Sequence, residues 1–236
     1  MAQEERRPFM AEKSVTKRAQ NKPSRDHLLD HQVERLIFFS DAVFAIAITL
    51  LVIEIHVPHL DNAPPMAALA MLENMLPSFF GFVLSFLVIG RFWIGHHSAL
   101  GRVQHFSSKL LWPNLMLLMS IAFMPFATAF MAQNIGQLVP TAFYNATLLV
   151  TALLSWRAAN VAYDLWPDGN ADMAEFRALR LRGLGVALGA ATALAVTFLT
   201  PLWSQLALLT MPIWQALIRK VSTRIVTWKS TEGCKD

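Results

Sequence analysis

The chain has one cysteine, Cys234, and two tyrosines in 236 residues, and only 15% of it is charged. A single thiol excludes an internal disulfide. No P-loop, GxSxG elbow, HExxH pair or paired-cysteine metal motif occurs, so neither catalysis nor a bound metal is expected. His96 and His97 are adjacent, and on a helix they diverge by about 100°, so they do not share one metal in the i, i+4 manner. The TVGYG string that lines many potassium pores with carbonyls is missing, as is an arginine repeat of the voltage-sensing kind. The net charge of +4 comes without a Lys/Arg stripe interleaved with aromatics, which argues against nucleic acid as a partner.

Apolar sequence is abundant, at 55% of residues. Charge is concentrated at the ends: residues 1–34 carry both signs, and 219–236 are basic. Between them lie apolar stretches long enough to cross a hydrocarbon core, which takes about 20 helical residues. Six spans are expected: Leu36–Ile55, Met75–Ile94, Leu110–Met131, Val139–Val161, Gly183–Leu199 and Leu202–Ile218. Pro201 suits the first turn of the sixth, where its missing N–H is not needed. This divides the chain into a polar N-terminal tail (1–34), a six-span domain (35–218) and a basic C-terminal tail (219–236). A cleaved signal peptide is not expected, because the polar segment precedes the first apolar run and that run carries Asp41.

The loops set the orientation. HVPHLDNAPP, AQNIGQL and LTP contain no Lys or Arg. The opposite side holds the N-terminal tail, Arg102, Lys109, Arg177, Arg180, Arg182, Arg219, Lys220 and Arg224. The positive-inside rule makes that side, and both termini, cytoplasmic. Trp93, Trp112 and Trp156 fall near the cytoplasmic ends, as an interfacial aromatic belt requires. The longer loop around Pro167-Asp168-Gly169-Asn170 reads as a solvated turn. Beyond it, Gly185 and Gly189 form a small-xxx-small pair suited to close helix approach.

The first span, RLIFFSDAVFAIAITLLVIEI, places a carboxylate inside an apolar helix, by default a functional-site position. At 100° per residue, Ile46, Leu50 and Ile53 lie within about 40° of one line, and Phe39 and Ala42 extend it. Thr49 lies about 60° to one side of Ile46 and Asp41 about 140° away. The isoleucine line reads as lipid-facing, core or, in an oligomer, a shared axis. Asp41, near Ser40, Arg35, His96 and His97 in depth, reads as a hydrogen-bond anchor or as half of a proton relay.

The string Arg35-x-x-x-Phe39-Ser40-Asp41, followed by AVFAIAITLLVIEI, resembles the RxxxFSD signature of the transmembrane protein 175 family, potassium channels of endolysosomes with prokaryotic relatives. FWIGHH near the end of the second span is similar to the family too, as are six spans with cytoplasmic termini. The resemblance implies an all-α integral membrane homotetramer in the cell membrane, with the first helix of each subunit lining a central pore. It places the narrowest ring at Ile46, further rings at Leu50 and Ile53, and Thr49 as a polar neighbour. It assigns Arg35, Phe39, Ser40, Asp41, His96 and His97 to an interhelical network that holds the pore helices. The implied permeant ion is K⁺, with no cofactor, and the partners are lipid, monovalent cations and further copies of the chain. Ala42 departs from the glycine of many relatives, which bears on the inner vestibule. The alternatives are a proton-coupled secondary transporter using Asp41 and the histidine pair, and a non-conducting membrane scaffold.

Overall fold

The computed structural model describes residues 25–57, 65–103, 106–166, 173–211 and 213–218, and among these it is helical throughout, with no strand. The helices are α1 (Arg25–Ile53), α2 (Pro65–Asn74), α3 (Leu76–Leu100), α4 (Leu111–Ala132), α5 (Leu138–Tyr163) and α6 (Met173–Thr197). A 3₁₀ turn, Ser108–Leu110, leads into α4, and a longer 3₁₀ segment, Ser204–Thr210, follows α6.

Local chemistry explains several boundaries. Pro65 is the first residue of α2 and Pro77 lies in the first turn of α3, positions where a missing N–H costs no helical bond. Ser107 is extended and its side chain accepts from the Lys109 amide at 3.4 Å, opening the 3₁₀ turn before α4. Gly136 turns the chain from α4 to α5 at φ 78°, a conformation that a Cβ disfavours.

Four stretches are long and apolar enough to cross a membrane: His31–Ile53, Leu76–Leu100, Ser108–Ala132 and Leu138–Tyr163. They match the first four expected spans. The last two differ. The apolar part of α6, Gly183–Thr197, and the following Ser204–Ile218 are both shorter than a full span. Pro201 does not open a helix but sits in a turn, and the chain then runs as 3₁₀ from Ser204 to Thr210. A 3₁₀ segment rises about 2.0 Å per residue against about 1.5 Å in an α-helix, so seven residues reach about 14 Å. Seven of the seventeen residues of the expected sixth α-helix thus wind as a tighter, longer-reaching 3₁₀ coil.

The first helix also starts earlier than the first expected span. α1 begins ten residues before Arg35, and Val33 is buried with Leu36, Ala99, Leu100, Leu110 and Tyr163 in a cluster at the end of the bundle where α1 enters. Residues 1–24, 167–172 and 219–236, which contain the Pro-Asp-Gly-Asn turn, Asp172, Cys234 and the basic tail, lie outside the described residues.

The arrangement is a bundle. α1 packs against α3 and α4, α5 joins α3 and α4 to α6, and α6 carries the 3₁₀ segment. The main core gathers Phe44, Leu51, Ile89, Leu117, Ile121, Met124, Tyr144 and Leu148. Lipid is as apolar as these side chains, so packing and interhelical hydrogen bonds hold such a bundle together. Buried Thr128, Ser85 and Tyr144 form one such set, at 2.8 and 3.1 Å, linking α4, α3 and α5. The glycine pair of α6 works within the subunit: a Cβ on Gly185 would lie 2.9 Å from the Gln215 side chain, and one on Gly189 would collide with Met211.

Candidate functional site

α1 separates into two faces. Val33, Leu36, Ser40, Phe44, Ala47 and Leu51 recur at helical spacing and are all buried. Phe39, Ile46, Leu50 and Ile53 lie on the other side and are 52, 58, 39 and 69% exposed in one subunit. The residues sorted onto one line by sequence therefore do share an unpacked face.

Thr49, beside that line, is exposed and donates its hydroxyl proton to the Ile46 carbonyl at 2.9 Å. With its proton directed back into the helix, the oxygen offers lone pairs outward. It is thereby an acceptor, the polarity a cation requires.

The buried face carries a directed hydrogen-bond chain. His96 Nε2 donates to Asn114 Oδ1 at 2.7 Å, Asn114 Nδ2 donates to Ser40 Oγ at 3.0 Å, and Ser40 Oγ donates to the Leu36 carbonyl at 2.8 Å. This direction places a proton on Nε2 of His96. The chain ties α3, α4 and α1 together at one level. All three side chains are buried, at 6, 2 and 0% exposure, so each needs the partners it has.

Asp41 is held separately. Trp93 Nε1 donates to Asp41 Oδ1 at 2.8 Å, a charge-assisted bond between α3 and α1. His97 is exposed and packs on Trp93, with ring centroids 5.5 Å apart. His96 instead tilts against Phe44 at 5.4 Å. The adjacent histidines thus diverge, one toward the core and one along the Asp41 side. Arg35 is exposed, and no side-chain partner for it occurs among the described residues. Among the described residues no group of three His, Cys, Asp or Glu side chains is placed to hold a metal.

Of the six network residues proposed from sequence, Ser40 and His96 share one connected chain, Asp41 and His97 meet through Trp93, and Phe39 and Arg35 face outward. Two participants escaped sequence reasoning. Asn114 is the only amide in the WPNLMLLMSIAF stretch of its span, and an uncharged polar residue in a span was the signal available. Trp93 was read as a belt residue, but its indole N–H is committed to Asp41.

A bundle of apolar helices long enough to cross a membrane, with one apolar face of α1 left open and a polar clamp behind it, defines the class of multi-pass helical membrane proteins. Residues 35–125 match the family "Endosomal/lysosomal potassium channel TMEM175". A potassium channel of Streptomyces collinus is 36% identical over 156 residues, covering 63% of this chain and 74% of that protein. A potassium channel of a Chryseobacterium species is 34% identical over 119 residues, 50% of this chain and 59% of that one. The crystal structure of a lysosomal potassium-selective channel TMEM175 homolog from Chamaesiphon minutus superposes with a TM-score of 0.69 at 29% identity, covering 79% of this chain and 97% of that one. The chain belongs to the TMEM175 potassium channel family.

Proposed function

We propose that this protein is the pore-forming subunit of a leak-like, potassium-permeable channel in the cell membrane, with six membrane segments, both termini cytoplasmic and four subunits around a pore lined by α1. The observation that carries this reading is the open face of α1. Four α1 helices brought together on the Ile46, Leu50 and Ile53 line would stack apolar rings about 6 and 4.5 Å apart along the axis. Each ring excludes water when narrow, and an ion must shed part of its hydration shell to pass. K⁺ loses its shell at lower cost than Na⁺, which gives the direction of selectivity, and outward-facing Thr49 oxygens replace some of the lost contacts. Ile46 forms the narrowest ring.

The buried face of α1 supports the same reading. A constriction of side chains depends on helix rotation and depth, and the Ser40, Asn114 and His96 chain fixes both against α3 and α4. Asp41 and His96 have separate partners, Trp93 and Asn114, so the polar residues serve as an anchor and not as a proton couple.

Potassium flux in liposomes containing the purified protein, with sodium in parallel and Ile46→Asn as comparison, tests the reading. The expected result is fast flux that needs no counter-ion gradient, favours potassium, and becomes larger and less selective with the polar ring. Flux tied to a proton gradient would replace the channel by a transporter, and an unchanged Ile46→Asn would remove Ile46 from the constriction.

A further inference from the structure

Far from the polar clamp behind α1, one buried amide has no partner. Gln205 lies in the 3₁₀ segment that follows α6, where residues three apart eclipse one another. Leu208 is three residues on, and both side chains are buried, so this line is the packed side of the segment. Gln205 is only 9% exposed, yet neither its Oε1 nor its Nε2 has a hydrogen-bond partner among the described residues. A carboxamide carries an acceptor oxygen and two N–H donors. Leaving them unmet inside a protein is costly enough that such a group calls for an explanation.

The amide lines a cavity of about 310 Å³, the lower end of the range of small-molecule sites. Its walls come from Phe80 near the start of α3, Met131 near the end of α4, Ile135 in the turn between α4 and α5, and Trp203 and Leu206 beside Gln205. A Cβ on Gly136 would lie 3.8 Å from Leu202, so the α4–α5 turn rests on the turn after α6. Phe80 and His96 are sixteen residues apart on α3, about 24 Å along the axis. The cavity therefore sits at the other end of the bundle from the Ser40, Asn114 and His96 chain. None of its described lining residues is charged. Phe80, Ile135, Trp203 and Leu206 are also exposed on the subunit surface, so the cavity opens sideways between apolar side chains.

We propose that this cavity binds the glycerol end of a neutral glycerolipid, a mono- or diacylglycerol, through the Gln205 carboxamide. The free hydroxyl of such a lipid donates to Oε1 and its ester carbonyl accepts from Nε2, so one ligand meets both atoms. Its acyl chains leave past the apolar rim. Thr141, buried at the start of α5, adds a hydroxyl to the lining. In a phospholipid the corresponding glycerol oxygen is esterified to phosphate and cannot donate. Its charge would also meet no cation in the described lining, a costly burial. A plain hydrocarbon would leave the amide unmet. The cavity lies apart from the open face of α1, and its chemistry holds whichever way the chain crosses the membrane.

Photolabelling of the full-length oligomer in phosphatidylcholine nanodiscs tests this without relying on ion flux. The probe is a dioctanoylglycerol with a diazirine in one acyl chain, and the labelled residues are mapped by mass spectrometry. Labelling is expected at Ile135, Trp203 or Leu206, and unlabelled dioctanoylglycerol is expected to suppress it. Capping the probe's hydroxyl as a methyl ether should weaken labelling of the unaltered protein at least about fivefold, the loss of one hydrogen bond. Gln205→Met, which keeps the length and removes both polar atoms, should weaken labelling as much and erase the difference between the two probes. Equal labelling by the capped probe, or undiminished labelling of a correctly assembled Gln205→Met protein, would overturn the proposal. Equal or stronger competition by octanoic acid would overturn the glycerolipid as the ligand and leave a site for a carboxyl group.

Discussion

The two faces of α1 are made of similar material and have opposite fates. Leu36, Phe44, Ala47 and Leu51 are buried against α3 and α4, while Ile46, Leu50 and Ile53 remain open in the single subunit. Hydrophobicity does not separate them, because in a bilayer both faces are equally welcome. One buried hydroxyl does. Ser40, wholly buried and bonded to Asn114, determines which way the helix turns, and the isoleucine line is what remains on the other side. A small polar group therefore selects which face of α1 stays open, and the large apolar residues follow.

The strongest way to break this comparison is Asn114→Leu. It leaves His96 without its acceptor and Ser40 without its donor, at a cost of about 2 kcal/mol for stranded buried polar groups. For a domain of this size that lowers the thermal midpoint by roughly 5 °C, readable in detergent by tryptophan fluorescence or by loss of the oligomer on size exclusion. An unshifted midpoint would mean that apolar packing alone orients α1.

A milder probe concerns the second clamp. Asp41→Ala is expected to reduce assembly and yield, and Asp41→Asn, which keeps an acceptor, to do so less. Combined with Trp93→Phe, a double-mutant cycle should show coupling of about 1 kcal/mol. Strictly additive effects would strip the indole–carboxylate bond of its role, and normal assembly with altered proton flux would restore the relay.

On the open face, Thr49→Val keeps the volume and removes the outward oxygen. Potassium flux should fall by less than about tenfold, since one lost polar contact amounts to about 1 kcal/mol, with stability unchanged. A variant that loses stability instead would place Thr49 on the packed side of the comparison. Deleting residues 1–24, which precede α1, should alter neither face. Flux and thermal midpoint are both expected to match the full chain, and a change in either would assign that segment a part in the channel.

Much of this was legible along the chain. Length and apolarity of the first four spans and the angular grouping of Ile46, Leu50 and Ile53 follow from local rules of rise and rotation. The histidine pair's divergence follows from the same 100° step. The last third was less legible, because a proline and a glycine-rich neighbour do not reveal whether a short apolar run winds as α or 3₁₀. Here Gly185 and Gly189 bring Gln215 and Met211 against the backbone of α6, and the segment takes the shape that contact permits.

What the sequence by itself determined is the membrane, the first four spans and a set of polar residues at one depth near one end of the bundle. What only the tertiary structure decided is the pairing among them: Ser40 with Asn114 across 74 residues, and Asp41 with Trp93 across 52. The reason is geometric. A helix fixes the angle between its own side chains, but its rotation against a neighbour is set by how the whole bundle packs, and a hydrogen bond between helices exists only once that rotation is chosen.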